Sequence, residues 1–419
     1  MPKKLLWISD SPRFPHIGQS HVTREILSRL QGIFDITVGG FADVAVPPHL
    51  AVNVNYPVKN LFRSKEIIDS NTKQVTNEFW EMIPNLINEV KPDYVIFSHD
   101  IWLFSNISQV RKQFPSTKFL GYITLDGDPP YIGWKQYFYS YDLLITPSEY
   151  STNAIKDKWF DLDVVTVPYG VDKKLYKSPN QGKELLKEVV YHATNTQTTQ
   201  VPIDMRKKFC GIFAGANSNR KNLTAIYWAW KEFEKGKDDV FFLLIAHSAS
   251  PTMQVGSYPL ECFTDTETMH ILTNPIEEKN FAPLVAACDI LLHPVLGEGF
   301  GLTVLESMAC GTVPLVPDFS SLKDFCNKDN SFILDWVPLG RGWGIAGSVP
   351  VQSHILSTLE EAYKLWKENK LFAGKGQEAI KTAAKYDWDN TAKGIIKALD
   401  YVDHKFNKLS GKVEVIRLI

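Results

Sequence analysis

Short apolar runs recur along this chain, each ending in small or polar residues, with an amphipathic stretch before the next. "KLLWIS", "DITVGG", "DYVIFSHD", "KFLGYITLD", "DLLITPSE" and "DVVTVP" follow one another in the first half. "FCGIFAG", "VFFLLIAH", "HILTN", "DILLHP" and "VPLVPD" do so in the second. Strands that are apolar throughout have both faces covered, the condition of a parallel sheet with helices on either side. The stretches between them carry helical spacing. In "HVTREILSRLQG" Val22, Ile26, Leu27 and Leu30 share one face, and further helices are expected over "NEFWEMIPNLINEV" and over about 223–234 and 277–287. The pattern predicts a doubly wound α/β protein.

The alternation breaks once, over about 173–208, where Lys, Thr and Gln dominate and one short helical stretch is visible. A chain of 419 residues exceeds one ordinary core. The expected organisation is a Rossmann-like domain over 1–175, a connection with an insertion over 176–208, and a second Rossmann-like domain over 209–385. A closing helix and tail over 386–419 is expected to pack back on the first domain. Two such halves facing each other make a cleft, and in open parallel sheets ligands sit beyond the carboxyl ends of the strands.

Charge narrows the partners. A formal net charge of −2 argues against binding nucleic acid by bulk electrostatics, although a local groove around "MRKK" stays open. The 11 Trp suit sugar- or base-stacking surfaces, but more often signify a bulky core. Cys210, Cys262, Cys288, Cys310 and Cys326 are odd in number, and none is paired at metal-ligand spacing. They read as reduced thiols of a cytoplasmic protein. "MPKKLLWISD" reads as a first strand rather than a signal peptide, and no apolar run approaches membrane-spanning length.

Two stretches at strand ends carry the chemistry. "GIFAGANSNRKNLTAIYWAW" is a strand, a loop of small residues and a helix, with Arg220 and Lys221 in the loop. Small residues let the backbone approach a ligand, and a helix start with two cations suits a diphosphate. A solvated basic pair is the bland alternative. "DILLHPVLGEGFGLTVLESMACG" is a buried strand, a glycine-rich turn and a helix that Gly311 ends. The amides around Gly299 to Thr303 form a donor cluster. Glu298 can accept from ligand hydroxyls, and Glu306, about one turn into the helix, can accept two from a vicinal diol such as ribose. A turn carboxylate and a helix-start carboxylate are the corresponding structural readings.

"GEGFGLTVLESMACGTVPLV" resembles the Glu-x7-Glu signature of the retaining GT-B glycosyltransferases of family 4, the "glycosyl transferases group 1" type. "IEEKNFAPLVAACDILLHP", "NRKN", "KPDYVIFSHD", "DLLITPSEYSTNAI", "VPYGVDKKLY" and "KYDWDNTAKGI" are similar to further segments of that family. The resemblance implies two Rossmann-like domains and transfer of a hexose from a nucleotide diphosphate sugar to a hydroxyl acceptor, without a bound metal or other cofactor. It assigns Lys221, helped by Arg220, to the diphosphate, Glu306 to the ribose and Glu298 to the transferred sugar. The amides of Gly299, Phe300, Gly301, Leu302 and Thr303 line the pocket, and Gly18 faces the phosphates from the other domain. Ile276 and Glu278 lie where family members contact the base.

The chain also departs from the family. Ala216 stands where Gly-Arg often precedes the lysine, and "GYITLDGDPP" offers Asp126 and Asp128 where many members carry a histidine near the reacting sugar. With His99 of "FSHD", these two aspartates are the acceptor-side candidates, and Asp126 joins Glu298, Lys221 and Arg220 as a catalytic candidate. "LDGD" also matches the Asp-x-Asp metal motif of GT-A glycosyltransferases. An isomerase of the nucleotide-sugar 2-epimerase kind and a non-catalytic nucleotide-sugar-binding protein are the rivals from other classes. Within the transferase reading the acceptor is a glycan, a lipid-linked sugar reached by peripheral membrane association, a protein or, less in keeping with the charge, a modified nucleic-acid base.

Overall fold

The computed structural model describes residues 2–14, 18–41, 51–61, 79–178, 207–247, 268–273, 276, 278–340 and 346–409. The short helical stretch expected between 173 and 208, Cys262 and the first two residues of "MRKK" lie outside them. The chain divides into two compact units. One comprises 1–125, 130–169 and 388–419; the other comprises 126–129 and 170–387.

The first unit runs β1 (Lys4–Asp10), α1 (Gly18–Leu30), β2 (Asp35–Phe41), β3 (Val58–Leu61), α2 (Phe79–Val90), β4 (Tyr94–Asp100), α3 (Ile107–Gln113), β5 (Lys118–Thr124), α4 (Lys135–Phe138), β6 (Leu143–Thr146), α5 (Glu149–Lys158) and β7 (Val164–Thr166). Among the described residues its strands form one seven-stranded sheet, in the order β3-β2-β1-β4-β5-β6-β7. All of its pairings are parallel. The apolar runs are what make this possible: six of the seven residues of β1 are buried, so both faces of the strand are covered. On α1 the expected face of Val22, Ile26, Leu27 and Leu30 is the buried one. The chain's last described helix, Trp388–Leu409, belongs to this unit. It is held there through Asp403, which accepts hydrogen bonds from the Tyr94 hydroxyl at 2.5 Å and from Lys3 and Lys118.

The second unit repeats the plan: β8 (Phe209–Ala216), α6 (Leu223–Phe233), β9 (Val240–His247), β10 (Met269–Leu272), α7 (Glu278–Ala287), β11 (Ile290–Leu292), α8 (Leu302–Cys310), β12 (Val313–Pro317) and β13 (Phe332–Leu334). Its described strands form a parallel sheet in the order β10-β9-β8-β11-β12-β13. An antiparallel pair, β14 (Trp336–Gly340) and β15 (Ala346–Pro350), and the helices α9 (Gln352–Lys367) and α10 (Gln377–Ala383) follow. Aromatic rings cluster within its largely aliphatic core. Trp230 lies fully buried with its ring centroid 4.7 Å from that of Phe242 and 5.0 Å from that of Phe233. Truncating such a side chain costs about 3–5 kcal/mol.

In both sheets the strand order turns back on itself beside the first strand, between β1 and β4 and between β8 and β11. Loops leaving two such neighbours diverge to opposite faces, and the crevice at their carboxyl ends is where doubly wound sheets bind ligands. Cys210, Cys288, Cys310 and Cys326 are buried. Among the described residues no helix is long and apolar enough to cross a membrane.

Candidate functional site

The two stretches singled out in the sequence leave β8 and β11, so they meet at the turning point of the second sheet. After β8 the chain makes a tight turn over Asn219–Lys221, and Asn222 takes a left-handed conformation, φ 54°, before α6 begins. Asparagine tolerates that region better than most residues with a Cβ. Its Nδ2 donates to the Pro294 carbonyl at 3.0 Å, and the Leu296 N–H donates to the Arg220 carbonyl at 2.8 Å. The "NRKN" loop is thereby tied to the loop after β11.

That second loop is fixed by its own backbone. The Glu298 N–H donates to Ser320 Oγ at 2.9 Å, and Ser321 Oγ donates to the Glu298 carbonyl at 2.7 Å. Gly301, at φ 99°, stands just before α8, and a Cβ there would lie 2.7 Å from Leu322 Cδ2. Glycine is therefore required both by its conformation and by the close approach. The first amides of α8 have no partner within the helix. Gly311 ends α8 in the left-handed region, as expected.

The side chains converge on Glu298. Lys221 Nζ lies 2.5 Å from its Oε2, Arg220 Nη1 lies 3.0 Å from its Oε1, and His293 Nε2 lies 3.2 Å from Oε2. Arg220 Nη1 also donates to the Gly297 carbonyl at 2.8 Å, and its Nε lies 3.4 Å from Asp126 Oδ2. Lys221, His293 and Glu298 are buried. Burial alone would push the Glu298 carboxyl up, but Arg220, Lys221 and the hydrogen bond from His293 hold it well below the usual carboxylate range. Burial draws the Lys221 ammonium down, and Arg220 adds to this against the pull of Glu298. His293 is drawn down to about 4, by burial first and then by Lys221, so its ring is neutral near pH 7.

Glu306, the fifth residue of α8, is also buried. Its carboxylate and that of Glu278, the first residue of α7, lie near Tyr176; burial and these two charges push the Tyr176 hydroxyl up. Burial and Glu306 push the Cys310 thiol up to about 12. Among the pocket residues named from sequence, Phe300 packs its ring against Phe325 and Tyr386, so it offers only backbone to a ligand. Gly299 and Gly301 precede α8, Leu302 and Thr303 open it, and Ile276 lies two positions before α7. Asp126 belongs to the second unit, beside Arg220, and Asp128 is exposed.

In the first unit Gly18 opens α1. His99 ends up at that sheet's turning point. Its Nδ1 accepts from the Asp100 N–H at 2.8 Å, which leaves the proton on Nε2, 3.3 Å from Asp10 Oδ2. Thr124 Oγ1 donates to Asp100 Oδ1 at 2.7 Å.

Sequence reasoning did not single out His293, Ser320, Ser321, Tyr176 or Asp10. For His293 a signal existed: a lone polar ring at the end of a buried strand, five residues before Glu298.

Two Rossmann-like units, each built on a parallel sheet that turns beside its first strand, give the chain the fold of the GT-B glycosyltransferase superfamily. The sequence family described as "Glycosyl transferases group 1" matches residues 197–335, which include β8 to β13 and the whole Glu298 cluster apart from Asp126. A stretch of 110 residues is 32% identical to soluble starch synthase 1, chloroplastic/amyloplastic, of Solanum tuberosum. It covers 26% of this chain and only 16% of that synthase. Among solved structures, sucrose-phosphate synthase (tll1590) from Thermosynechococcus elongatus superposes with a TM-score of 0.73 over 96% of this chain and 99% of that one, at 14% identity. Anabaena Alr3699/HepE in complex with UDP-glucose does so with a TM-score of 0.68 over 95% and 100%, also at 14% identity. At that identity the likeness is one of fold.

Proposed function

We propose that the chain is a retaining glycosyltransferase of the Glu-x7-Glu kind, which moves a hexose from a nucleotide diphosphate sugar to a hydroxyl acceptor. The observation that carries this reading is the Glu298 cluster. Two adjacent cations and a buried carboxylate share the turning point of a parallel sheet, eight positions before a second buried carboxylate on α8.

The chemistry follows from charge. As the bond from the sugar's anomeric carbon to the phosphate oxygen breaks, negative charge grows on the departing diphosphate. Lys221, Arg220 and the first amides of α8 are donors fixed in place before the reaction, the arrangement that stabilises such charge most. The acceptor oxygen forms the new bond on the same face, and its proton passes to the leaving phosphate. No enzymic nucleophile is needed. In this reading Glu298 accepts from hydroxyls of the transferred sugar and Glu306 from the ribose diol. Glu278 and Ile276 address the base, and Gly18 the phosphates. Asp126 orients Arg220, while Asp128 and His99, its tautomer set by Asp100, belong to the acceptor side.

Glu298 is paired with the two cations that a diphosphate requires. Donor binding is therefore an exchange of anions, in which phosphate replaces carboxylate and Glu298 turns to the sugar. The reading also disfavours the metal role of "LDGD", because Asp126 already faces a guanidinium that neutralises it. The experiment is a radiolabelled-hexose transfer assay with the donor that binds best, scored for release of nucleoside diphosphate together with a product of retained anomeric configuration. Turnover of the donor without any acceptor would instead indicate the isomerase chemistry of the 2-epimerase kind.

A further inference from the structure

Three nitrogen groups hold the Glu298 carboxylate, and they are not alike. Lys221 and Arg220 sit on the loop after β8, and both carry the charge that a diphosphate would claim. His293 is neutral and has no such competing duty. Its ring is fully buried and stacked on Phe213, with centroids 5.8 Å apart and planes at 24°. Its backbone N–H donates to the Leu315 carbonyl at 2.9 Å, so the ring is anchored in the sheet rather than in a loop. Among the described residues Nδ1 has no hydrogen-bond partner, so all of the ring's polar bonding is directed through Nε2 at Glu298. A buried polar ring with half its bonding capacity unused is costly to keep at the end of an apolar strand.

We infer that His293 is a positioning residue for Glu298. It is the partner that keeps the carboxylate in place when a bound diphosphate draws Lys221 and Arg220 away. This rests on the donor reading proposed above. The role is masked while all three donors hold the carboxylate. In the loaded molecule His293 is the one of the three that stays. It fixes Oε2 and leaves Oε1 to accept from a sugar hydroxyl. Its contribution therefore belongs to recognition of the hexose, not of the nucleoside diphosphate.

The test compares the affinity of each protein for a nucleoside diphosphate with its affinity for the matching nucleotide sugar, by calorimetry. The pair used is whichever wild type binds among UDP and UDP-glucose, ADP and ADP-glucose, GDP and GDP-mannose, and dTDP and dTDP-glucose. His293→Leu removes the Nε2 donor. It is expected to leave nucleoside diphosphate affinity within about twofold and to weaken the nucleotide sugar about tenfold, the scale of one lost hydrogen bond to a charged group. His293→Gln, whose amide reaches the position of Nε2, is expected to retain most of the sugar's increment. His293→Asn, whose shorter side chain stops near Nδ1, is expected to lose it, and this polar pair serves if the leucine variant does not fold. A parallel loss of both ligands in His293→Leu, or equal behaviour of the Gln and Asn variants, would overturn the positioning role. If wild type binds none of the pairs, it is the donor reading that fails, and the positioning role with it.

Discussion

Lys221 and Glu298 form a buried ion pair, Nζ to Oε2 at 2.5 Å, with each side chain only 11% exposed. Glu298 has a second cation in Arg220, whereas Lys221 has no second carboxylate at comparable distance among the described residues. The two partners are therefore not equivalent. Glu298→Gln leaves two cations facing each other and is expected to lose about 3–5 kcal/mol of stability, the usual cost of breaking a buried pair. Lys221→Met leaves Glu298 with Arg220 and is expected to lose less. The double variant should lose less than the sum of the two. Denaturant unfolding of the three variants checks this, and strictly additive losses would show that the pair is not coupled.

The same cluster predicts how stability depends on pH. Glu298 has a folded value below its ordinary 4.5. Its contribution is present above that value and is lost as pH falls through the folded one. His293 works over a different window. Its folded value is about 4 against an ordinary 6.5, so below 6.5 the unfolded chain takes up a proton that the folded chain refuses. Stability then falls by about 1.4 kcal/mol per pH unit, or about 2 kcal/mol between pH 7.5 and pH 5. His293→Gln is expected to lack that decline, and urea midpoints at the two pH values measure it. Identical pH dependence in variant and wild type would mean that His293 accepts its proton normally.

Ligand binding tests Lys221, after β8, and Glu306, on α8. On the proposed assignment of Lys221 to the diphosphate and Glu306 to the ribose, Lys221→Ala and Glu306→Ala are each expected to weaken nucleotide-sugar binding by about tenfold or more. Calorimetry on folded variants provides the numbers. Unchanged donor affinity in both would remove these residues from the site.

The expectation of a metal-independent reaction is tested by chelation. Under the proposed function Arg220 and Lys221 supply the positive charge, so turnover is expected to survive EDTA. Loss of activity that Mn²⁺ restores would move the chemistry to Asp126 and Asp128.

The parts of this arrangement that lay open in the sequence are those governed by local pattern. Continuous apolar runs marked the buried strands because both faces of β1 and β8 are covered, and the face of Val22, Ile26, Leu27 and Leu30 on α1 followed from period alone. Gly311 was readable as the end of α8 because few other residues adopt its conformation. Edge strand β3 was not seen, since only Leu61 of its four residues is buried and no apolar run announces it. Of the candidate site, Arg220, Lys221, Glu298 and Glu306 were singled out through the resemblance of their motifs. The contacts that organise them were not. Arg220 meets Asp126 across 94 positions and Glu298 meets Ser320 across 22, and such pairings depend on how the strands are ordered. His293 was hidden by its setting, because a histidine just after an apolar strand usually serves packing.

The central claim is that the second unit binds a nucleotide diphosphate sugar, and the most direct measurement is the melting temperature of the wild-type chain in the presence of GDP-, UDP-, ADP- and dTDP-sugars. A ligand that binds the folded state at 100 times its dissociation constant adds about 2.7 kcal/mol, which raises the melting temperature by several degrees. Such a rise is expected with at least one of the four nucleotides, and a smaller one for Lys221→Ala. An unchanged melting temperature across all four at millimolar concentration would contradict it.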